Sequence, residues 1–375
     1  MAPRRATTTP TRGNTVTSPW SRWRTVVALL AAVVATATTA GTARAAGGTG
    51  APPPMADRFG LTQVEPAVGG PTDFYLTVTT PEVTGKHHIK IILPSGYYDD
   101  PARRYPVLYF LHGSPDDPVQ QNYPALTSSN AMITVIPDGG ARGWYTNWLN
   151  QNTQLGAQNW ENFHLDQVIP FIDANLRTVA TKKGRAVAGV SMGGFGALHY
   201  AQDRPELFSQ TASLSGDIDL SADSMDLRLA VVASLIDAQG ALCGSASGFC
   251  GDPGNDPYKP GVDSDALFGT PYPVFNADWR WNAADPSQHM DKLAGVGVSV
   301  YVGNGRGVPT DLEFWLEGAS KHVKDHMDAL GMPYYYVDYG DGSAWGTRCN
   351  GGHNGGCWEQ DLRDLIPRLE RAFAS

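Results

Sequence analysis

The sequence predicts an α/β fold in which helices cover both faces of a mostly parallel central sheet. Short, continuous apolar runs, typical of strands buried on both faces, alternate along the chain with segments of helical periodicity. In addition, Gly189–Gly193 matches the G-x-S-x-G turn that joins a strand to a helix. Alternating strands and helices favour a parallel sheet, because each crossover helix returns the chain to the same end of the sheet.

The individual elements follow from local patterns, in chain order. Strands are predicted at residues 72–80 and 86–93, which alternate apolar and polar side chains, and at the apolar runs 106–111, 132–136, 185–190 and 298–302. Helices are predicted at residues 162–176, 195–203, 311–330 and 358–373. Pro170 is expected to bend the first of these helices, since proline lacks the N–H that the helix needs.

The N-terminus has the pattern of an export signal. Arg22 and Arg24 precede the apolar run Val26–Ala35, and Ala43-Arg44-Ala45 matches an A-x-A cleavage site. The apolar run is short for a bilayer span, although a retained N-terminal anchor is the alternative. We therefore predict a signal peptide at residues 1–45 and a secreted or cell-envelope location.

The remaining chain is predicted to form one domain. Residues 46–58 are rich in Gly, Pro and Ala and predict a flexible linker, followed by a single domain over 59–375. Residues 240–275, rich in Gly, Pro and Asp, interrupt the alternation and predict either a lid or a surface loop. We expect a monomer with possible cell-envelope association.

Charge excludes one class of partner. Without the six arginines of residues 1–45, the chain has 22 basic and 37 acidic residues, a net charge of −15. Such a charge argues against binding to nucleic acid.

The four cysteines form two closely spaced pairs, Cys243 with Cys250 and Cys349 with Cys357. In an exported chain these spacings predict two local disulfides; free buried thiols are the alternative. Neither pair has the C-x-x-C spacing of a zinc site.

Ser191 is the predicted nucleophile. It is the central residue of Gly189-Val190-Ser191-Met192-Gly193, between an apolar β-branched strand and an Ala/Leu-rich helix. This context is the one that the nucleophile elbow of the α/β-hydrolase fold requires. The motif and its context therefore predict a serine hydrolase, with a plain turn as the alternative.

A serine hydroxyl needs a base, and in this fold the base follows the nucleophile and the acid in the chain. That order excludes the four histidines that precede Ser191. Of the later ones, His199 is better explained as a position on a helix face, and His289 has no evident partner. His322 and His326 lie four apart but lack the glutamate of H-E-x-x-H, so no metal site is expected.

His353 remains, in a glycine-rich loop between the predicted cysteine pair and before the last helix. We predict that it is the catalytic base. The acid is expected after the strand at residues 298–302, where position leaves three candidates, Glu317, Asp311 and Glu313. Nothing in the sequence calls for a metal or organic cofactor.

Two backbone N–H groups are expected to hold the oxyanion that forms on attack. Met192 follows the nucleophile at a helix N-terminus, and Ser114 lies in the loop after the strand 106–111. Pro115 has no N–H to offer. The same loop and a nearby aromatic stretch make His112, Trp144 and Trp148 the candidate substrate contacts.

Together these segments resemble the esterase-D/antigen 85 family of α/β-hydrolases, particularly its exported actinobacterial members. The likeness covers most of residues 58–374. The segments that carry it are residues 106–113, 189–193, 301–305, 314–318 and 352–353, together with Trp358. In the antigen 85 branch the glutamate of Leu-Glu-Gly is the catalytic acid, so the resemblance implies Glu317.

The resemblance also implies a class of reaction. Antigen 85 proteins pass a long acyl chain through an acyl-serine to trehalose. Here their Asp-Gly-Leu-Arg loop is replaced by His112-Gly-Ser-Pro115, and the tryptophan two residues after their catalytic histidine is replaced by Gly355. We therefore expect an exported serine ester hydrolase or acyltransferase that acts on a small-molecule, lipid or glycolipid ester. The alternatives are a trehalose mycolyltransferase and a catalytically silent glycan-binding protein of the cell surface.

Overall fold

The computed structural model describes residues 50–236, 261–273 and 278–375. Contacts divide the chain into Met1–Arg44 and Ala45–Ser375, and every described residue belongs to the second unit. The predicted signal peptide, the pair Cys243 and Cys250, and most of the excursion at 240–275 lie outside the described residues. Within the described ranges, no helix has the length and apolar character needed to cross a membrane.

The described chain folds around a nine-stranded sheet. Its strands are β1 (Thr62–Gly69), β2 (Asp73–Thr79), β3 (His87–Ile92), β4 (Val107–Leu111), β5 (Ile133–Pro137), β6 (Arg185–Val190), β7 (Gln210–Leu214), β8 (Gly297–Val302) and β9 (Tyr335–Asp338). Their order across the sheet is β1-β2-β3-β5-β4-β6-β7-β8-β9. The pairs that involve β1, β2 and β3 are antiparallel, and all pairs from β5 to β9 are parallel.

The helices are α1 (Trp160–Asn162), α2 (Ile169–Asn175), α3 (Met192–Asp203), α4 (Met225–Ile236), α5 (Trp279–Ala284), α6 (Glu313–Ala329) and α7 (Gly355–Ala374). Short 3₁₀ segments connect several of these elements. The helices cover both faces of the sheet, so the predicted α/β-hydrolase architecture is confirmed.

Alternation along the central strands divides the apolar side chains into two cores. Tyr109 of β4 contributes to a core with Phe195 of α3 and Leu316 of α6. Its neighbour Phe110 contributes to a core on the opposite face, with Leu362 of α7. Because successive strand residues point to opposite faces, a strand that is buried on both sides is continuously apolar, as the sequence indicated.

The helix predicted over residues 162–176 is present but not uniform. A π-helical stretch, Phe163–Val168, joins α1 to α2. Pro170 is the second residue of α2, and because it has no N–H it cannot donate a hydrogen bond to the turn that precedes it. The bend predicted at Pro170 therefore corresponds to a change from π-helical to α-helical hydrogen bonding just before the proline.

The other predicted strands and helices are confirmed to within a few residues, but β1, β7, β9, α4 and α5 were not predicted. Most residues of β1 are exposed, so the strand lacks the apolar alternation that marks a half-buried strand. The predicted linker is attached near its end, because Ala56 exchanges hydrogen bonds of 2.7 and 3.1 Å with the side chain of Asn175.

Candidate active site

Ser191 lies at the turn between β6 and α3, at the carboxyl edge of the parallel strands. Its backbone has φ 55° and ψ −124°, a conformation that a residue with a side chain rarely adopts. The turn is tight: a Cβ on Gly193 would lie 2.1 Å from the carbonyl oxygen of Leu111. A Cβ on Gly189 would lie 2.3 Å from the carbonyl oxygen of Gly193. Glycine on both sides is therefore what permits the turn.

His353 comes from the loop between β9 and α7 and reaches the nucleophile. Its Nε2 lies 2.9 Å from Oγ of Ser191, at hydrogen-bond distance. A disulfide joins Cys349 to Cys357 on either side of it. Asn354, the next residue, begins α7 by accepting hydrogen bonds from the N–H groups of its first turn. The loop is thus held at both ends.

Glu313 is the carboxylate that meets His353, at 2.8 Å between Oε2 and Nδ1. Its side chain is fully buried. Its other oxygen, Oε1, accepts hydrogen bonds from the N–H of Gly303 at 2.7 Å and from the hydroxyl of Ser215 at 2.8 Å. A buried carboxylate held by several donors orients the imidazole and stabilises its cation.

The preference for Glu317 is therefore wrong, and the carboxylate is one of the alternatives that position had left open. Glu313 is the first residue of α6, where the chain arrives from the end of β8. Glu317 lies one helical turn further along, is partly exposed, and has no hydrogen bond to His353. One turn, about 5.4 Å, is enough to take a carboxylate out of reach.

Asp311, the remaining candidate, ties the acid and the base together through their backbones. Its Oδ1 accepts the N–H of Glu313 at 3.1 Å and the N–H of His353 at 3.0 Å. Asp311 is therefore a positioning residue.

Burial by itself lowers the pKa of His353. The hydrogen bond and the charge of Glu313 act in the opposite direction, with further contributions from Asp217 and Asp311, and the result is a pKa above the usual value for histidine. The environment thus favours the imidazolium that forms when the base takes a proton.

Two backbone features fit the predicted oxyanion donors. Met192 is the first residue of α3, and N–H groups of a first turn have no intrahelical acceptor. The loop that contains Ser114 passes directly against the nucleophile: a Cβ on Gly113 would lie 3.3 Å from Cβ of Ser191. Their role as oxyanion donors remains a prediction.

Comparison with known proteins identifies the family of this chain. A family model described as "Putative esterase" matches residues 80–369. The chain belongs to this esterase family. The match includes all three of Ser191, Glu313 and His353.

Individual relatives are similar over different lengths. An esterase of Mycobacterium tuberculosis is 39% identical over 173 residues, which is 45% of this chain but only 37% of that protein. The diacylglycerol acyltransferase/mycolyltransferase Ag85A of Mycobacterium ulcerans is 26% identical over 80% of this chain and 82% of its own. This esterase-family chain thus spans well under half of the first relative and most of the second.

Solved structures share the fold. The crystal structure of Mycobacterium tuberculosis MPT51 aligns with a TM-score of 0.58 at 20% identity, over 80% of this chain and 98% of its own. A ferulic acid esterase aligns with a TM-score of 0.52 at 19% identity, over 79% of this chain and 96% of its own.

The predicted substrate contacts of His112, Trp144 and Trp148 are not supported, because all three side chains are buried. His112 is fully buried; its Nδ1 donates to the carbonyl of Gly113, and its Nε2 accepts the N–H of Gly139, both at 2.8 Å. This pattern requires a neutral ring with its proton on Nδ1. The two hydrogen bonds attach His112 to the backbone of Gly113 and Gly139, and so to the loop that contains Ser114.

The two tryptophans are likewise part of the core. Trp144 packs edge-on against Phe195 of α3, and its indole N–H donates to the hydroxyl of Ser234. Trp148 donates to the carbonyl of Gly143. An aromatic stretch in the sequence does not by itself distinguish the wall of a pocket from packing in the core.

Sequence reasoning missed two residues of the site, Ser215 and Asp217, which follow β7. Ser215 accepts the indole N–H of Trp358 at 3.0 Å while it donates to Glu313. The edge of Trp358 also packs against the ring of His353, 4.9 Å between centroids. Their position in the sequence could have identified Ser215 and Asp217. Polar residues directly after a buried parallel strand lie at the edge of the sheet where binding and catalytic sites form.

Asp217 is 1% exposed, and within the described part of the chain its Oδ1 has no hydrogen-bond partner. Burial raises its pKa to about 6; the charge of Glu313 acts in the same direction, and that of His353 against it. Asp217 therefore adds a third acidic group, besides Glu313 and Asp311, to the surroundings of His353.

A surface cleft of about 480 Å³ opens beside the His353 loop. Tyr123 forms one wall, and Asn354 and Gly355, directly after His353, form another.

Proposed function

We propose that this chain is an exported serine esterase or acyltransferase that acts through an acyl-serine intermediate. The observation that carries the proposal is the continuous hydrogen-bonded series from Ser191 Oγ to His353 Nε2, and from His353 Nδ1 to Glu313 Oε2. Nucleophile, base and orienting carboxylate follow one another at 2.9 and 2.8 Å. Membership in the esterase family and likeness to an acyltransferase support the same chemistry.

In the first half of the reaction, Ser191 Oγ attacks the carbonyl carbon of the ester while Nε2 of His353 takes the hydroxyl proton. The tetrahedral oxyanion is held by the backbone N–H groups of Met192 and Ser114. His353 then gives the proton to the oxygen of the departing alcohol, and the acyl group remains on Ser191. Glu313 keeps the Nδ1 proton in place and stabilises the imidazolium.

In the second half, a hydroxyl compound deacylates the enzyme. His353 takes its proton, its oxygen attacks the acyl carbonyl, and Ser191 regains the proton. Water as the attacking compound gives an esterase, and an alcohol gives an acyltransferase. The substrate class that we propose is therefore a small-molecule, lipid or glycolipid ester.

The test is covalent labelling with a fluorophosphonate, which reacts with activated serines, followed by mass spectrometric mapping of the adduct. We expect one adduct, on Ser191, absent in Ser191→Ala and strongly slowed in His353→Ala. Ser209→Ala is the matched control, because Ser209 lies on the loop before β7 and has no contact with the triad.

A folded protein that forms no adduct, or forms one on another serine, would overturn the proposal. Glycan binding that survives loss of both Ser191 and His353, with no ester turned over, would instead support a binding protein on this fold.

A further inference from the structure

A second cluster of ionisable side chains lies near the far end of the helix that follows Ser191. It consists of Glu161 of α1 and of His199 and Asp203 of α3. His199 Nε2 lies 3.4 Å from Oδ2 of Asp203 and 3.9 Å from Oε2 of Glu161. The three nitrogen and oxygen atoms all lie within 4.8 Å of one another.

Hydrogen bonding within the fold does not account for this convergence. Among the described residues, none of the three side chains makes a hydrogen bond. The side chain of His199 is only 8% exposed, and its ring stacks on Phe195 at 5.4 Å and 14°. The stacking fixes the ring so that Nε2 faces both carboxylates. Nε2 of this nearly buried imidazole thus lies close to two carboxylate oxygens, one from each of two helices.

Burial and nearby charges both act on Glu161 and His199. Burial raises the pKa of Glu161 to about 7, and the negative charges of Asp203 and Asp166 act in the same direction while Arg204 opposes them. Burial lowers the pKa of His199; Lys292 and His289 act in the same direction, and Asp203 opposes them. An imidazole binds a metal ion only in its neutral form.

Among the described residues, Lys292 forms an ion pair with the cluster but leaves it open to a metal ion. Lys292 Nζ lies 3.7 Å from Oδ1 of Asp203, whereas the cluster uses Oδ2. The side chains of Glu161 and Asp203 are 25% and 29% exposed, so an ion can enter from solvent.

We propose that Glu161, His199 and Asp203 form a binding site for one divalent transition-metal cation of the zinc type. Zinc holds nitrogen and oxygen ligands at about 2.0–2.2 Å, which sets neighbouring ligand atoms of a tetrahedron roughly 3.3–3.6 Å apart. The distance of 3.4 Å already fits, and the distance of 3.9 Å needs a movement of a few tenths of an ångström. The imidazole nitrogen favours zinc over calcium or magnesium, which prefer oxygen ligands.

The site would be structural, since its ligands do not belong to the triad. An ion there joins α1 to α3, the helix that begins directly after Ser191. Metal binding should therefore raise the melting temperature of the protein without being needed for acyl transfer.

The test uses the purified protein, stripped with a chelator and dialysed against Zn²⁺ alone, with bound metal measured by elemental mass spectrometry. A parallel dialysis against Ca²⁺ checks selectivity. We expect one Zn²⁺ per chain, with affinity reduced at least about 10-fold in Asp203→Asn and His199→Asn. Asp203→Asn is the safer variant, because Asp203 is the more exposed of the two. Lys292→Gln should bind more tightly, since it removes a competing cation.

Two control variants separate this site from adventitious binding. Asp166→Asn removes a nearby charge outside the three ligands, and His326→Gln breaks the neighbouring pair His322 and His326, whose rings lie 4.3 Å apart. Both should keep the bound zinc. Absence of zinc from the wild type, or zinc retained in Asp203→Asn and His199→Asn but lost in His326→Gln, would overturn the proposal.

Discussion

Glu313 and Glu317 are separated by a single turn of α6, and that turn decides which carboxylate meets His353. Glu313 stands at the start of the helix, where Asp311 accepts its N–H and that of His353 with the same oxygen. Ser215 and the N–H of Gly303 then fix its second oxygen. Contacts with Asp311, Ser215 and Gly303 thus hold Glu313 in place beside His353.

This arrangement predicts opposite results for a matched pair of variants. Glu313→Gln should lower kcat/KM by roughly 10³–10⁴-fold, because the amide cannot hold the required tautomer or stabilise the imidazolium. Glu317→Gln should leave it within about twofold of wild type. The base must be neutral to act, and the folded environment raises the pKa of His353. Activity of the wild type should therefore fall as the pH drops through a value above 6.5.

The pH profile of kcat/KM provides the second readout. In Glu313→Gln the acidic limb should move to lower pH, because the charge that raises the pKa of His353 is gone. Equal losses in the two variants, or an unmoved limb in Glu313→Gln, would contradict the assignment.

At the scale of elements, the loop between β9 and α7 presents the base. It is rich in glycine, and its order depends on attachments at its two ends. The disulfide between Cys349 and Cys357, eight positions apart in the sequence, closes a short loop, and Asn354 begins α7 inside it. His353 lies between these attachments.

Replacing both cysteines by serine should lower the free energy of unfolding by about 2–3 kcal/mol, the loop-closure entropy expected for so short a loop. It should also lower kcat/KM, because without the disulfide the loop would hold His353 beside Ser191 for a smaller fraction of the time. The measurements are urea unfolding and ester hydrolysis at temperatures where the variant is folded. As a control, serine at Cys243 and Cys250, the other predicted pair, should change stability without lowering activity. A Cys349→Ser/Cys357→Ser variant with wild-type kcat/KM would show that the loop is ordered without its disulfide.

At the scale of the whole molecule, residues far apart in the chain meet because parallel strands end at one edge of the sheet. Ser191 follows β6, Asp217 follows β7, Glu313 follows β8 and His353 follows β9. The residues of the proposed triad therefore all lie within the described part of the chain.

We predict that an exporting actinobacterial host releases the protein with Ala46 as its first residue. The cleavage pattern requires small side chains at Ala43 and Ala45. Ala45→Arg should therefore block processing, whereas Thr42→Ala, outside those two positions, should not. Peptide mapping of protein from the culture fluid gives the terminus. A cell-bound product that retains residues 1–45 would favour the anchor instead.

Much of the sheet was predictable from sequence, since strands buried on both faces are continuous apolar runs. The exposed edge strand β1, the strand β7 with its polar residues Gln210, Thr211 and Ser213, and the short β9 lack that pattern and were missed. Local sequence singled out Ser191 and His353 as candidates, because each lies in a short glycine-rich motif. His112, Trp144 and Trp148 were misjudged because burial depends on what packs over a side chain, and a local pattern does not contain that information.

The sequence by itself determined the fold class and singled out Ser191 and His353, because strand periodicity and tight turns depend on residues that are close together in the chain. Only the tertiary structure decided which carboxylate meets His353, the hydrogen bonds of Ser215, the burial of Asp217 and the convergence of Glu161, His199 and Asp203. Those features depend on distances of a few ångströms between segments that are separated by tens to hundreds of residues. Hydrogen bonds and ion pairs act over a few ångströms. The packed fold therefore determines which partner a side chain meets.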